Sequence, residues 1–210
     1  MSKIVIFGAT GYTGANIARE AAARGHQVVG VVRNPEGKAI EGVGLIAGDI
    51  SDTESYAQIF AGADTVVVAV HHGNPRVVDL VQALMAAAKT AGARLAVVGG
   101  AGSLLVAEGG PHLIETPEFP DAYKHEAGLA WDTLTKMQQL DDCDWFFVSP
   151  AAGYGSFAPG ERTGSYRLGG DVLVSDAEGK SFIGGEDYAI AFVDEIEQKK
   201  HSNQRFTVGY

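Results

Sequence analysis

The sequence predicts a doubly wound α/β fold, a mostly parallel sheet with helices on both faces. Short apolar runs recur along the chain, helix-patterned segments separate them, and the first strand breaks into spaced glycines that open a helix. Runs such as IVIF, VVGVV, TVVVAV and LAVVGG are continuous rather than alternating, the pattern of strands covered on both faces and therefore parallel. With 210 residues, 46% of them hydrophobic, the chain can bury one core, and a single domain over residues 1–210 is expected.

The elements follow in order. Lys3–Phe7 is an apolar run of strand length, and Gly14–Arg24 carries a helix pattern after the glycine turn. Strands at Gln27–Val32 and Val43–Ala47 precede a helix at Thr53–Phe60. The strand Thr65–Val70, helix Pro75–Ala91, strand Arg94–Gly99, helix Ala122–Leu140 and strand Trp145–Ser149 continue the alternation. The rhythm then breaks. Ala151–Gly185 is rich in glycine and holds two short runs, DVLVSD and KSFIGG, which predict a small hairpin in an excursion covering the carboxyl end of the sheet. GGEDYAIAFVDEIEQKK reads as a helix with acids early and lysines late, complementing its dipole, and Arg205–Val208 as the last strand. Trp131 and Trp145 read as core.

Composition excludes several function classes. The formal net charge of −10 disfavours nucleic acid as a partner, because a phosphate backbone needs a basic face. No apolar run approaches the ~18 residues of a membrane span, and MSKIVIFG leads into a strand rather than a signal sequence, so a cytoplasmic protein without membrane contact is expected. Cys143 is the one cysteine, without a disulfide partner or a companion metal ligand, and reads as a small hydrophobe.

Gly8, Gly11 and Gly14 have the spacing G-x-x-G-x-x-G between strand and helix, the context of a dinucleotide fingerprint. The turn needs residues without Cβ atoms, a pyrophosphate approaches the backbone closely, and the helix N-terminus offers unpaired N–H groups. Thr10, Tyr12 and Thr13 add contacts to the same phosphates. An NAD site places Asp or Glu at the end of the second strand, whereas this strand ends in Arg33 and Asn34. A guanidinium suits a 2′-phosphate, so NADP(H) is expected over NAD(H), although no second basic residue is seen to reinforce Arg33. Asp49 and Ile50 after the third strand are expected at the adenine, and His71, His72 and Gly73 after the fourth near a ribose. Adjacent histidines on extended backbone point apart, so no metal site is expected.

These motifs, GATGYTG, VVRNP, GDISD and VVGGAGSL, together with PGERTGSYRLGGD, resemble the atypical short-chain dehydrogenases/reductases, and within them the NADH-flavin reductase family with its NmrA-like and biliverdin reductase B-like relatives. The resemblance implies a Rossmann fold that binds NAD(P), a small C-terminal substrate region at 151–185, and flavin reduction. It implies a substrate-contacting catalytic Ser103, with Pro150, Ala151 and Ala152 beside the nicotinamide. Arg162, Tyr166 and Arg167 are candidates for an anionic or aromatic substrate.

The chain departs from the superfamily in lacking a Tyr-x-x-x-Lys pair: Tyr12, Tyr56, Tyr123, Tyr154, Tyr166 and Tyr188 are followed four positions on by Asn16, Phe60, Ala127, Ala158, Gly170 and Phe192. Lys124 directly follows Tyr123, but neighbours on a helix do not face one another. Carbonyl reduction needs such an acid for the developing alkoxide, whereas a flavin spreads the charge of an accepted hydride through its rings. Three readings follow: an NADPH-dependent reductase of a flavin or similar flat acceptor, a non-catalytic NADP-binding redox sensor, and a nucleotide-sugar epimerase or dehydratase, the last disfavoured by the missing pair. The expected partners are a small-molecule acceptor and, at most, a second copy of the chain. Whether flavin serves as substrate or retained cofactor stays open.

Overall fold

The side chains of the first strand, β1 (Lys3–Phe7), alternate between two cores. Ile4 and Ile6 join a cluster on one face of the sheet, Val5 and Phe7 a cluster on the other. The computed structural model describes all residues, Met1–Tyr210. Its elements are α1 (Tyr12–Ala23), β2 (Gln27–Val32), β3 (Val43–Ala47), α2 (Tyr56–Ile59), β4 (Thr65–Val68), α3 (Val77–Ala91), β5 (Arg94–Val98), α4 (Asp121–Gln138), β6 (Trp145–Ser149), β7 (Arg167–Gly169), α5 (Gly185–Gln198) and β8 (Gln204–Gly209). One eight-stranded sheet runs β3-β2-β1-β4-β5-β6-β8-β7, parallel except for β7, in the Rossmann manner.

On the first face α1 and α5 pack together, placing Ile17, Ala18 and Ala21 against Tyr188, Phe192 and Ile196 over Ile4 and Ile6. On the second, α3 and α4 cover Val5 and Phe7 with Val81, Leu84, Met85, Leu134 and Met137. Each large side chain buried this way contributes about 1.5–3 kcal/mol. Charged groups bind α1 to α5: Arg24 pairs with Glu20, Asp194 and Glu197, and Arg162 reaches Glu20 at 2.8 Å from the excursion. Burial alone would raise the Glu20 pKa, but hydrogen bonds from Arg162 and Arg24 outweigh it and hold the carboxyl below its ordinary range.

Two expectations change. The predicted helix at Thr53–Phe60 is a 3₁₀ turn, Thr53–Ser55, running into the single-turn α2. The predicted hairpin does not form. Asp176 N–H donates to the Lys180 carbonyl at 3.0 Å, but the two runs diverge from this turn onto different partners. Leu173 donates to Leu105, while Gly153 donates to Ser181. The strand of this region is instead β7, which lies antiparallel on β8.

The excursion is tied down at Asp187, a fully buried carboxylate on α5. It accepts from the Thr163 amide and hydroxyl at 2.9 and 2.6 Å, the Gly164 amide at 2.9 Å and the Tyr210 hydroxyl at 2.5 Å. Burial pushes its pKa up, but these donors more than offset it and keep the group ionised.

Candidate functional site at the switch point

Strand order reverses at β1, which is flanked by β2 on one side and β4 on the other. The carboxyl ends of these strands open into a cleft of about 1120 Å³, above the ~300–1,000 Å³ of an ordinary small-molecule pocket.

The glycine turn forms one end of the cleft. Gly8 has φ +78°, and a Cβ there would stand 2.3 Å from the Ala69 carbonyl oxygen; one on Gly14 would stand 2.2 Å from the Gly8 oxygen. These two glycines are required by the turn itself, and Gly14 packs beneath it rather than lining the cleft. Gly11 is different. It is exposed and caps α1 without a side-chain hydrogen bond, no acid occupies the first turn, and the amides of Tyr12, Thr13 and Gly14 find no acceptor in the protein. Unpaired amides at the open end of a helix form an anion cradle. Gly8, Thr10, Gly11, Tyr12 and Thr13 line the cleft. The Tyr12 and Thr13 side chains turn toward the excursion, donating to the Pro159 carbonyl at 3.3 Å and meeting the Tyr154 hydroxyl at 2.9 Å, respectively.

Arg33 and Lys38 both line the cleft and are exposed, and neither forms a salt bridge. Lys38 supplies the second cation that local spacing did not reveal. Asn34 stands outside the cleft, its Oδ1 accepting the Glu36 amide at 2.9 Å to form a tight turn. Asp49 and the buried Ile50 line the wall as a polar tip and an apolar face. The Ser51 hydroxyl and amide, with Arg33 nearby, hold the Asp49 carboxyl below its ordinary pKa.

His71 and His72 diverge: the first side chain is 92% exposed in the cleft, the second buried. The two His72 ring nitrogens lie 3.0 Å from Thr133 Oγ1 and 3.0 Å from the Val98 carbonyl, and burial lowers its pKa, so it is a neutral structural pin. Glu126 on α4 accepts the His72 amide at 2.5 Å and lies 3.6 Å from His71 Nδ1. Gly73 sits beneath this carboxylate, outside the cleft, where a Cβ would be 3.0 Å from Oε2.

Pro150, Ala151 and Ala152 line the far wall. Leu113, Phe119, Tyr123 and Phe157 also line the cleft, with Tyr123 55% and Phe157 69% exposed. Lys124 does not share it; its ammonium pairs with Asp121 at 2.7 Å. Besides Gly14, Asn34 and Gly73, four more expected residues lie elsewhere. Ser103 is buried outside the cleft, its hydroxyl accepting from Arg205 at 3.2 Å. Arg162 is committed to Glu20, Tyr166 donates to Asp194, and Arg167 donates to the Ser175 and Tyr210 carbonyls. None of these three lines the cleft, and each has partners on the body of the protein. Trp131 is half-buried against His112, with ring centres 4.3 Å apart. Burial raises the Cys143 thiol to about 11, so the sulfur stays protonated.

A family model described as NAD(P)H-binding matches residues 8–180. The protein YwnB of Bacillus subtilis (strain 168) is 42% identical over 98% of this chain and 97% of its own. Among solved structures, a Burkholderia pseudomallei protein provisionally described as exported has 45% identity, full coverage of both chains and a TM-score of 0.89. A Bacteroides thetaiotaomicron protein provisionally described as an epimerase has 36% identity and a TM-score of 0.89, covering 100% of this chain and 97% of its own. One from Streptococcus pneumoniae TIGR4, provisionally described as an NADH-flavin reductase, has 32% identity and a TM-score of 0.85, covering 100% and 99%. No helix here is long and apolar enough to cross a membrane. A family match spanning the glycine turn, the switch-point cleft and most of the excursion makes the chain a member of the NAD(P)H-binding family, with a Rossmann fold.

Proposed function

We propose that the protein is an NADPH-dependent reductase that passes hydride to a flavin or another flat, conjugated acceptor. The observation that carries this reading is that Phe119, Tyr123 and Phe157 line the same cleft as the cradle. The free amides of the α1 turn would hold the diphosphate, Arg33 and Lys38 the 2′-phosphate, Asp49 and Ile50 the adenine edge, and Pro150–Ala152 the nicotinamide side. When bound, the nicotinamide supplies hydride; the protein supplies alignment and exclusion of water.

Ala127 stands where a Tyr-Lys pair built on Tyr123 would need lysine, so an acceptor that disperses charge fits better than a sugar carbonyl or an epimerase substrate. The reaction belongs in the cytoplasm under this proposal, where reduced pyridine nucleotides are regenerated; the description of the Burkholderia relative makes cell fractionation the check. Steady-state NADPH oxidation with FMN, FAD or a quinone tests the function. Turnover with one of them is expected. Tight NADPH binding with no turnover on any acceptor would instead favour an NADP-binding sensor.

A further inference from the structure

We infer that His71 donates the proton that accompanies hydride transfer to the acceptor, with Glu126 as its positioning residue. The inference rests on the reductase reading and assigns chemistry to residues outside the nucleotide cradle.

The backbone at His71 is held from behind. The His72 ring is fixed between Thr133 and Val98, and the His72 amide donates to Glu126 at 2.5 Å. The same Glu126 oxygen stands 3.6 Å from His71 Nδ1, beyond hydrogen-bond reach but within ion-pair range of a protonated ring, so α4 sets a carboxylate beside the imidazole. The opposite nitrogen, Nε2, has no protein partner, and the residue lines the cleft that also receives Tyr123 and Phe119. An imidazole with a carboxylate beside one nitrogen and the other nitrogen free is an arrangement suited to a proton donor, and apo distances of this kind often tighten on ligand binding. The other titratable side chains on this wall are Glu118 and Tyr123, with His72 behind it.

The step balances. A neutral acceptor takes hydride, two electrons and one proton, from the dihydronicotinamide, leaving the oxidised nicotinamide. The acceptor heteroatom that would carry the negative charge takes the Nε2 proton as that N–H bond breaks. Neutral His71, 92% exposed, regains a proton from solvent.

Two acceptors separate this role from the reading beneath it: a quinone, which must gain a proton with the hydride, and a phenothiazinium cation, which hydride alone neutralises. In His71→Gln the ratio of quinone to phenothiazinium turnover is expected to fall about 100-fold. An unchanged ratio overturns the proton role, whether the two rates both persist or both fall together. Wild-type protein that binds NADPH yet reduces neither acceptor sinks the reductase reading, and the proton role with it. A second variant tests the carboxylate: in Glu126→Gln the same quinone to phenothiazinium ratio is expected to fall in the same direction, and an unmoved ratio removes Glu126 from the assignment.

Discussion

The Tyr154 hydroxyl lies 2.9 Å from Thr13 Oγ1, latching the excursion after β6 onto the first turn of α1. The Tyr154 ring also packs on Tyr188 and Tyr12, with centres 4.7 and 5.7 Å apart, so one side chain couples the nucleotide cradle to the loops that cover it. Tyr154→Phe keeps the packing and removes only the hydroxyl bond. NADPH affinity in fluorescence titration is expected to drop about 2- to 10-fold, in line with one neutral hydrogen bond.

The glycine turn divides into fold and site. Gly8→Ala places a Cβ 2.3 Å from a backbone oxygen at φ +78° and should lower the melting temperature sharply, whatever is bound. Gly11→Ala meets only the Gly8 oxygen at 3.3 Å. That variant is expected to fold with a near-normal melting temperature and to lose NADPH binding by calorimetry.

Arg33 and Lys38 approach the cleft from the same loop, so their loss should fall on the phosphate that distinguishes the two coenzymes. Arg33→Ala and Lys38→Ala are each expected to weaken NADPH about 10-fold or more, from loss of a charge-assisted hydrogen bond, with a much smaller effect on NADH. Equal losses for both coenzymes in titration would refute the 2′-phosphate assignment.

Stability should depend on pH in two windows. His72 is buried neutral, its pKa lowered by burial, so protons favour the unfolded chain, where the ring titrates near ~6.5. Its contribution is complete above that value and is lost as pH falls through it toward the depressed folded value. The carboxylates of Asp187 and Glu20 are also depressed, and their contribution is lost below about pH 4. Thermal melts from pH 8 to 3 should show both declines, and His72→Gln should flatten the first.

Asp187→Asn replaces two accepting oxygens with one and turns an N–H₂ toward the Thr163 and Gly164 amides. Leaving buried donors unpaired costs about 1–3 kcal/mol. The expected result is a lower melting temperature and new protease cleavage within residues 160–166.

Seven strands and the glycine turn were legible in the sequence because continuous apolar runs and a strand–glycine–helix junction are local signals. β7 was not: RLG is three residues long and largely exposed, and it is a strand only because β8 offers it an edge. Lys38 escaped because the turn of Pro35–Gly37 separates it from Arg33, and nothing local shows both facing one cleft. Arg162 read as a substrate contact because its partner Glu20 lies 142 residues away. Tyr123 was passed over for want of a lysine at the right spacing, and Glu126 was not singled out, although their three-residue separation already set them on one helix face.

The cradle and the aromatic lining come from separate parts of the chain: strand ends and the α1 turn build one, while the 113–123 segment and Phe157 supply the other. Grafting the 113–123 segment and residues 155–157 between homologues, with Tyr154 kept, should therefore reprogramme acceptor choice while coenzyme affinity is inherited intact, giving a single reducing scaffold with exchangeable specificity.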